Sequence, residues 1–249
     1  MKVIERGEGE PEIAVIACVH GDEKCGKKAI EEFLESDVEL QEPVKFVIAN
    51  EKAMEACERF VDTDLNRCFP GDPESKEHEE RLAAELLEEL KGYSCLVIHS
   101  MENFKEMFCL VDGLEEKLVE STGLEKAVDV EPLGEESLDK YLNSVSVETG
   151  ETGSNQAVEN SIEVMENFLK YFNALPGRPE VRDFEVFEIY TAVEKPDFNF
   201  VAENFRKVVE GEIYAEKGNE KLRAEEDFYP VLMGDSYSNI LGFKGRKGD

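Results

Sequence analysis

Residues 13–19, Ile-Ala-Val-Ile-Ala-Cys-Val, are apolar at every position; a shorter unbroken run recurs at 95–98, and 44–49 is apolar except at Lys45. A continuous apolar run bounded by turn signals is the mark of a strand covered on both faces. Between these runs the pattern changes period. Apolar residues recur every three or four positions over 24–34, 52–57, 75–91 and 155–172, which predicts amphipathic helices. A turn-rich stretch at 63–73 precedes the third of them, and shorter strands are expected at 108–111 and 145–147. Strands alternating with helices imply an α/β fold: three layers, a mainly parallel sheet with helices on both faces.

After Gly177 the rhythm changes again. Residues 184–190 alternate, short apolar pieces follow at 212–215 and 229–232, and turns such as Lys217-Gly218-Asn219 separate them without a long helix. The expected organisation is therefore an α/β domain over 1–175 and a small C-terminal β-rich domain over 176–249.

Composition narrows the partners. The 249 residues carry 58 acidic against 28 basic side chains, a formal charge of −30. Such a chain repels nucleic acid and anionic membrane, so neither is an expected partner. No apolar run approaches the length of a membrane span. The six cysteines form no C-x-x-C pair and follow no signal peptide, which suits reduced, mostly buried thiols of a cytoplasmic protein. A homodimer is compatible with this composition and is not specified by it.

Of three histidines, His20 follows the first strand and His99 follows the strand at 95–98. Ligands of open parallel sheets bind beyond the carboxyl ends of strands. His78 sits among Glu77, Glu79 and Glu80 and is expected to be solvated. The pair His20-x-x-Glu23 offers an imidazole and a carboxylate at a turn, and His99 can add a third ligand from a neighbouring strand. Zinc accepts that mixture, with a fourth position open to water. Taken singly, an H-x-x-E pair arises by chance and a strand-ending histidine is usually packed; together they favour a metal.

Two further segments carry chemistry. Residues 59–71 hold Arg59, Asn66 and Arg67 in one loop of an otherwise acidic chain. The arginines can bind an anion, or be tied down by Asp62 and Asp64; residue types alone leave these readings even. Glu148 ends an apolar strand and precedes Gly150, a place where burial and a nearby metal would tune a proton carrier.

Taken in order, His20-x-x-Glu23, Asp64-Leu65-Asn66-Arg67, His99-Ser100 and Glu148-x-Gly150 resemble the aspartoacylase/succinylglutamate desuccinylase family, a branch of the zinc carboxypeptidase-like enzymes. Residues 198–215 and 228–243 look like its C-terminal β domain. The resemblance implies one Zn2+ per chain on His20, Glu23 and His99, with Glu148 activating the attacking water and then protonating the leaving amine. It also implies that Arg59 polarises the scissile carbonyl, that Asn66 and Arg67 hold the carboxylate of a small substrate, and that Tyr237 reaches over the pocket. The implied activity is hydrolysis of the amide of an N-acyl amino acid or related compound. A carboxypeptidase-like activity and a non-catalytic binding relative are the alternatives.

The chain departs from that family twice. Val97 stands where members carry an aspartate two residues before the third ligand, so support for His99 must come from elsewhere. Residues 138–143 contain no arginine to meet a substrate's side-chain carboxylate, Lys140 being the cation there. The resemblance thus extends to the reaction class and not to the substrate.

Overall fold

In a computed structural model, residues 1–134, 136–234 and 239–248 are described. The chain runs β1 (Lys2–Arg6), β2 (Ile13–Ala17), α1 (Cys25–Glu35), β3 (Val44–Ile48), α2 (Glu51–Ala56), α3 (His78–Glu89), β4 (Ser94–Met101) and β5 (Phe108–Val111). It continues through α4 (Glu116–Thr122), β6 (Lys126–Asp129), β7 (Asn143–Glu151), α5 (Asn155–Tyr171) and β8 (Glu185–Val193). The last strands are β9 (Asn199–Phe200), β10 (Ile213–Lys217), β11 (Glu220–Arg223), β12 (Tyr229–Val231) and β13 (Gly242–Lys247).

Ten strands form one mixed, mostly parallel sheet in the order β1-β3-β2-β4-β7-β5-β6-β8-β13-β12. Alternation divides its core. Val15 and Ala17 of β2, Phe46 of β3 and Val145 and Val147 of β7 pack with Phe33 of α1 and Phe168 of α5. Ala14 and Ile16 of β2, Val47 of β3 and Cys95 and Val97 of β4 pack on the other side with Leu82, Leu86 and Leu90, in and just after α3. Both faces of β2 are thus covered, which is why its run is unbroken.

β8, β13 and β12 extend the main sheet, β8 pairing parallel with β6. β9, β10 and β11 form a separate three-stranded antiparallel sheet, as a β-rich C-terminal region predicts. Six elements escaped the pattern: β1, whose Lys-Val-Ile-Glu-Arg is an edge strand, the short α4 and β6, and β9, β11 and β13 of the C-terminal region.

The six cysteines are free, five of them buried and Cys57 exposed. Among the described residues no helix is long and apolar enough to cross a membrane.

Candidate functional site

β2 has β3 on one side and β4 on the other, so the chain reverses its winding direction at this point. Clefts open beyond the carboxyl ends of strands at such switch points. His20 lies just past β2, His99 within the end of β4, and Glu148 opposite His99 on β7.

Local backbone constraints aim these side chains. Cys18 takes a left-handed φ of 56°, turning the chain out of β2. Gly21 then passes so close to α2 that a Cβ would stand 2.2 Å from the Ala53 carbonyl carbon, so only glycine fits between His20 and Glu23. Past His99 and Glu148 the register shifts, two residues of β4 facing three of β7, and Gly150 occupies that bulge with φ at 118°. Bulges re-aim side chains at sheet ends. A buried network locks the junction: Thr149 donates through Oγ1 to the His99 carbonyl (2.9 Å), Ser161 donates to Thr149 (3.1 Å) and Asn160 donates to the Thr149 carbonyl (2.8 Å).

His20, Glu23 and His99 converge, each buried, with ligand atoms all within 4.8 Å of one another. His20 Nδ1 lies 2.7 Å from Glu23 Oε1 and His99 Nδ1 lies 2.9 Å from Glu23 Oε2. Burial works to raise the Glu23 pKa, but the charges and hydrogen bonds of the two imidazoles outweigh it and hold the carboxyl well below its usual range. Burial lowers His20, yet Glu23 and Asp64 push it up to about 9. The pocket therefore favours positive charge at this point. Two imidazoles and a carboxylate are also the donor set of a catalytic zinc centre. These residues fit such an ion.

Glu148 carries the clearest mark of an unused group. Its Oε2 is buried with no hydrogen-bond partner. Burial first, then the charge of Glu23, push its carboxyl up to about 7, against the opposing pull of His99, His20 and Arg59.

At the arginine loop the structure shows the tie to Asp64. Arg59 donates to Asp64 Oδ2 through Nε (3.2 Å) and Nη2 (3.1 Å), and its Nη1 lies 3.3 Å from Glu23 Oε1. It nevertheless lines the cavity. Asp64 Oδ1 in turn stands 3.2 Å from His20 Nε2, so it orients that ring. Asn66 accepts from the Leu138 N–H through Oδ1 (3.0 Å) and lines the cavity. Arg67 donates to the Asn66 carbonyl and lines the same cavity of about 790 Å³. Tyr237 lies outside the described residues.

Three residues went unread or were misread. Glu79 is 0% exposed, not one more solvated acid in its run. It accepts from the backbone N–H groups of Val61 (2.7 Å), Asp62 (3.0 Å) and Thr63 (3.3 Å) and from Asn50 Nδ2 (2.9 Å), pinning the arginine loop. His78, expected to be solvated, is half-buried with Nε2 3.2 Å from Asn50 Oδ1, because α3 begins under that loop. Lys140 pairs with Glu136 at 2.8 Å on the surface, while its neighbour Asp139 is the residue that lines the cavity.

Residues 10–96 match the catalytic-domain family described as succinylglutamate desuccinylase/aspartoacylase. That segment of the chain, which ends before His99, is similar to the family's catalytic domain. N-acyl-aromatic-L-amino acid amidohydrolase (carboxylate-forming) B of Danio rerio is 34% identical over 89 residues, 31% of this chain and 28% of that protein. The chain therefore aligns with less than a third of the length of this curated relative. The fold is matched over far more of its length. A succinylglutamate desuccinylase/aspartoacylase from Rhodobacter sphaeroides superimposes with TM-score 0.78 at 18% identity, covering 99% of this chain and 89% of that one. Murine aminoacylase 3 does so with TM-score 0.73 at 19% identity, covering 97% of each. His20, Glu23, Arg59, Asn66 and Arg67 fall inside the matched segment; His99 and Glu148 lie beyond it and join the site through the fold.

Proposed function

We propose that the chain is a zinc-dependent hydrolase that cleaves the amide bond of a small N-acyl amino acid or related carboxylate-bearing compound. The observation that carries this reading is the unpartnered, buried Glu148 Oε2 facing the same cavity as the His20–Glu23–His99 cluster. His20, Glu23 and His99 would hold the ion. When bound, it would supply Lewis-acid charge that acidifies water and polarises the scissile carbonyl.

The chain's own groups then have distinct tasks. Glu148 takes the proton of the attacking water at Oε2 and passes it to the nitrogen of the departing amine. Burial raises this carboxyl above the ordinary carboxylate range, which suits it to carry a proton between the two sites. Arg59, fixed by Asp64, points donors at the developing oxyanion. Asn66 Nδ2 and Arg67 hold the substrate carboxylate, in a protein whose overall charge would otherwise repel it.

Residues 1–175 supply this machinery, and residues 176–249 act as its cap. Ile189, Ala192, Leu232, Ile240 and Phe243 wall the cavity from that side. Such enclosure favours small substrates over peptides.

The test is hydrolysis of a panel of N-acyl amino acids and short peptides by zinc-loaded protein, with metal measured alongside. Chelation should abolish turnover and zinc should restore it. His20→Ala should bind less than a tenth of the wild-type zinc. Full turnover by metal-free protein would sink the proposal, as would preferential cleavage of peptides its substrate class.

The arginines should separate kinetically. Arg67→Ala should raise KM about 10- to 100-fold with kcat little changed, through the lost charged hydrogen bond. Arg59→Ala should lower kcat roughly 10²–10³-fold, the range for loss of an oxyanion donor. Equal effects of both variants on KM alone would refute the division.

A further inference from the structure

Beyond Glu148 the even-numbered positions of β7 carry a second polar group. Val145 and Val147 face the α5 side, so Ser144, Ser146 and Glu148 share the opposite face. Ser146 therefore sits about 6–7 Å along the strand from Glu148. Against it lies Asp139, 8% exposed, accepting from Ser144 Oγ (2.6 Å) on Oδ1 and from Ser146 Oγ (2.7 Å) on Oδ2. Ser137 is 6% exposed, and its hydroxyl is buried with no hydrogen-bond partner. Ser137, Asp139 and Ser146 all line the cavity that holds the metal-ligand cluster.

The hydrogen-bond directions here decide what can bind. The Ser146 and Ser144 hydrogens are committed to Asp139, so towards the cavity Ser146 offers lone pairs only. The Asp139 oxygens keep further acceptor capacity. Burial raises the Asp139 pKa while the two serines oppose that rise, so an apposed cation would complete what the hydroxyls begin. Leu110, Val130, Leu133 and Ile189 line other parts of the cavity, so this polar group is set among apolar walls. An anionic side chain would meet no donor from Asp139 or Ser146 and would face the carboxylate.

We propose that Ser137, Asp139 and Ser146 form a subsite for an ammonium group carried on the side chain of the substrate. An ammonium offers three donors, one for each of the three residues. This inference rests on the hydrolase reading and names its substrate class: Nα-acyl derivatives of diamino acids. Arg67 and Asn66 would take the carboxylate and Asp139 the amine, so the two charges of one molecule are read by separate parts of the cavity. Lys140 plays no part, being paired with Glu136 outside the cavity.

The test separates binding from turnover. Zinc-loaded Glu148→Gln protein is titrated calorimetrically with Nα-acetyl-L-ornithine, Nα-acetyl-L-lysine, Nα-acetyl-L-norvaline and N-acetyl-L-glutamate. The better cationic ligand should bind about 10- to 100-fold more tightly than the norvaline compound, as a charged hydrogen-bonding contact requires. Adding Asp139→Asn should remove that preference and leave norvaline affinity within about threefold. Ser137→Ala, which removes an unpartnered hydroxyl, should reduce the preference several-fold and serves if the Asp139 variant does not fold. Equal or tighter binding of norvaline or glutamate overturns the subsite, as does an unchanged preference in the Asp139→Asn or Ser137→Ala variant, or no binding by any of the four compounds. Hydrolysis by the wild-type protein is assayed in parallel. A binding preference without turnover would refute the hydrolase and leave the subsite standing.

Discussion

Replacing Glu148 with glutamine should abolish most turnover while leaving the zinc content unchanged. The loss expected for removing a positioned general base is roughly 10²–10⁴-fold in kcat. Glutamine keeps the size of the side chain but cannot take a proton, so the defect should lie in kcat and not in KM. None of the three proposed ligands comes from β7, which is why the metal should stay. A pH profile adds a second readout. The base works when deprotonated, so kcat/KM should fall as pH drops through its pKa. Without a cation that carboxyl stands at about 7, and a bound ion pulls it lower. The acid limb of the wild-type profile should therefore lie at or below about pH 7, and the residual activity of the glutamine variant should lack it. A variant with wild-type kcat, or one that loses its zinc, would remove Glu148 from the role of base.

Sequence pattern located this carboxylate because β7 is apolar on the side that faces α5 and ends in Glu-Thr-Gly. The same logic found β2, β3 and β4, each buried on both faces, and with them the strand ends that carry His20 and His99. It failed where an element's partners are distant. β6 reads Lys-Ala-Val-Asp and becomes a strand only because β5 and β8 flank it. The alternation over 184–190 and the apolar piece at 229–232 announce β8 and β12, but nothing in them says that these strands continue the main sheet, and Gly-Phe-Lys-Gly-Arg-Lys of β13 carries no strand pattern. Acidic residues were least legible of all. Glu79 and Asp139 sit in charged surroundings in the sequence, and what distinguishes them is the set of N–H and O–H donors that folding brings to them. Asp139 comes to lie beside Ser146, which pairs with Val97 on β4. A carboxylate thus reaches the neighbourhood of position 97 from a different segment of the chain.

Glu79 is where that hidden information has its largest expected consequence for stability. Its carboxylate accepts four hydrogen bonds, three of them from consecutive backbone N–H groups of the loop that leads to Asp64 and Asn66. Glu79→Ala would leave these donors facing a void, and breaking a buried, charged network of this kind costs about 3–5 kcal/mol. That is a large fraction of the 5–15 kcal/mol typical of a folded domain. Burial alone would raise the Glu79 pKa, but the hydrogen bonds it accepts outweigh burial and depress it. A depressed folded-state pKa contributes stability above the unfolded value of about 4.3, and this is lost as pH falls through the folded value. The difference in unfolding free energy between wild type and Glu79→Ala should accordingly be full at neutral pH and shrink below about pH 4. Glu79→Gln would fall between them, because its amide can accept on one side only and opposes a donor to a donor on the other. Glu79 touches no part of the cavity, yet the loop it anchors bears Arg59, Asp64, Asn66 and Arg67. The folded fraction of the alanine variant should therefore bind zinc while showing a depressed kcat/KM. Denaturant titration across pH, with zinc analysis and kinetics on the same samples, measures all of this. A stability loss below about 1 kcal/mol, or undiminished kcat/KM, would show that the loop holds its arginines without Glu79.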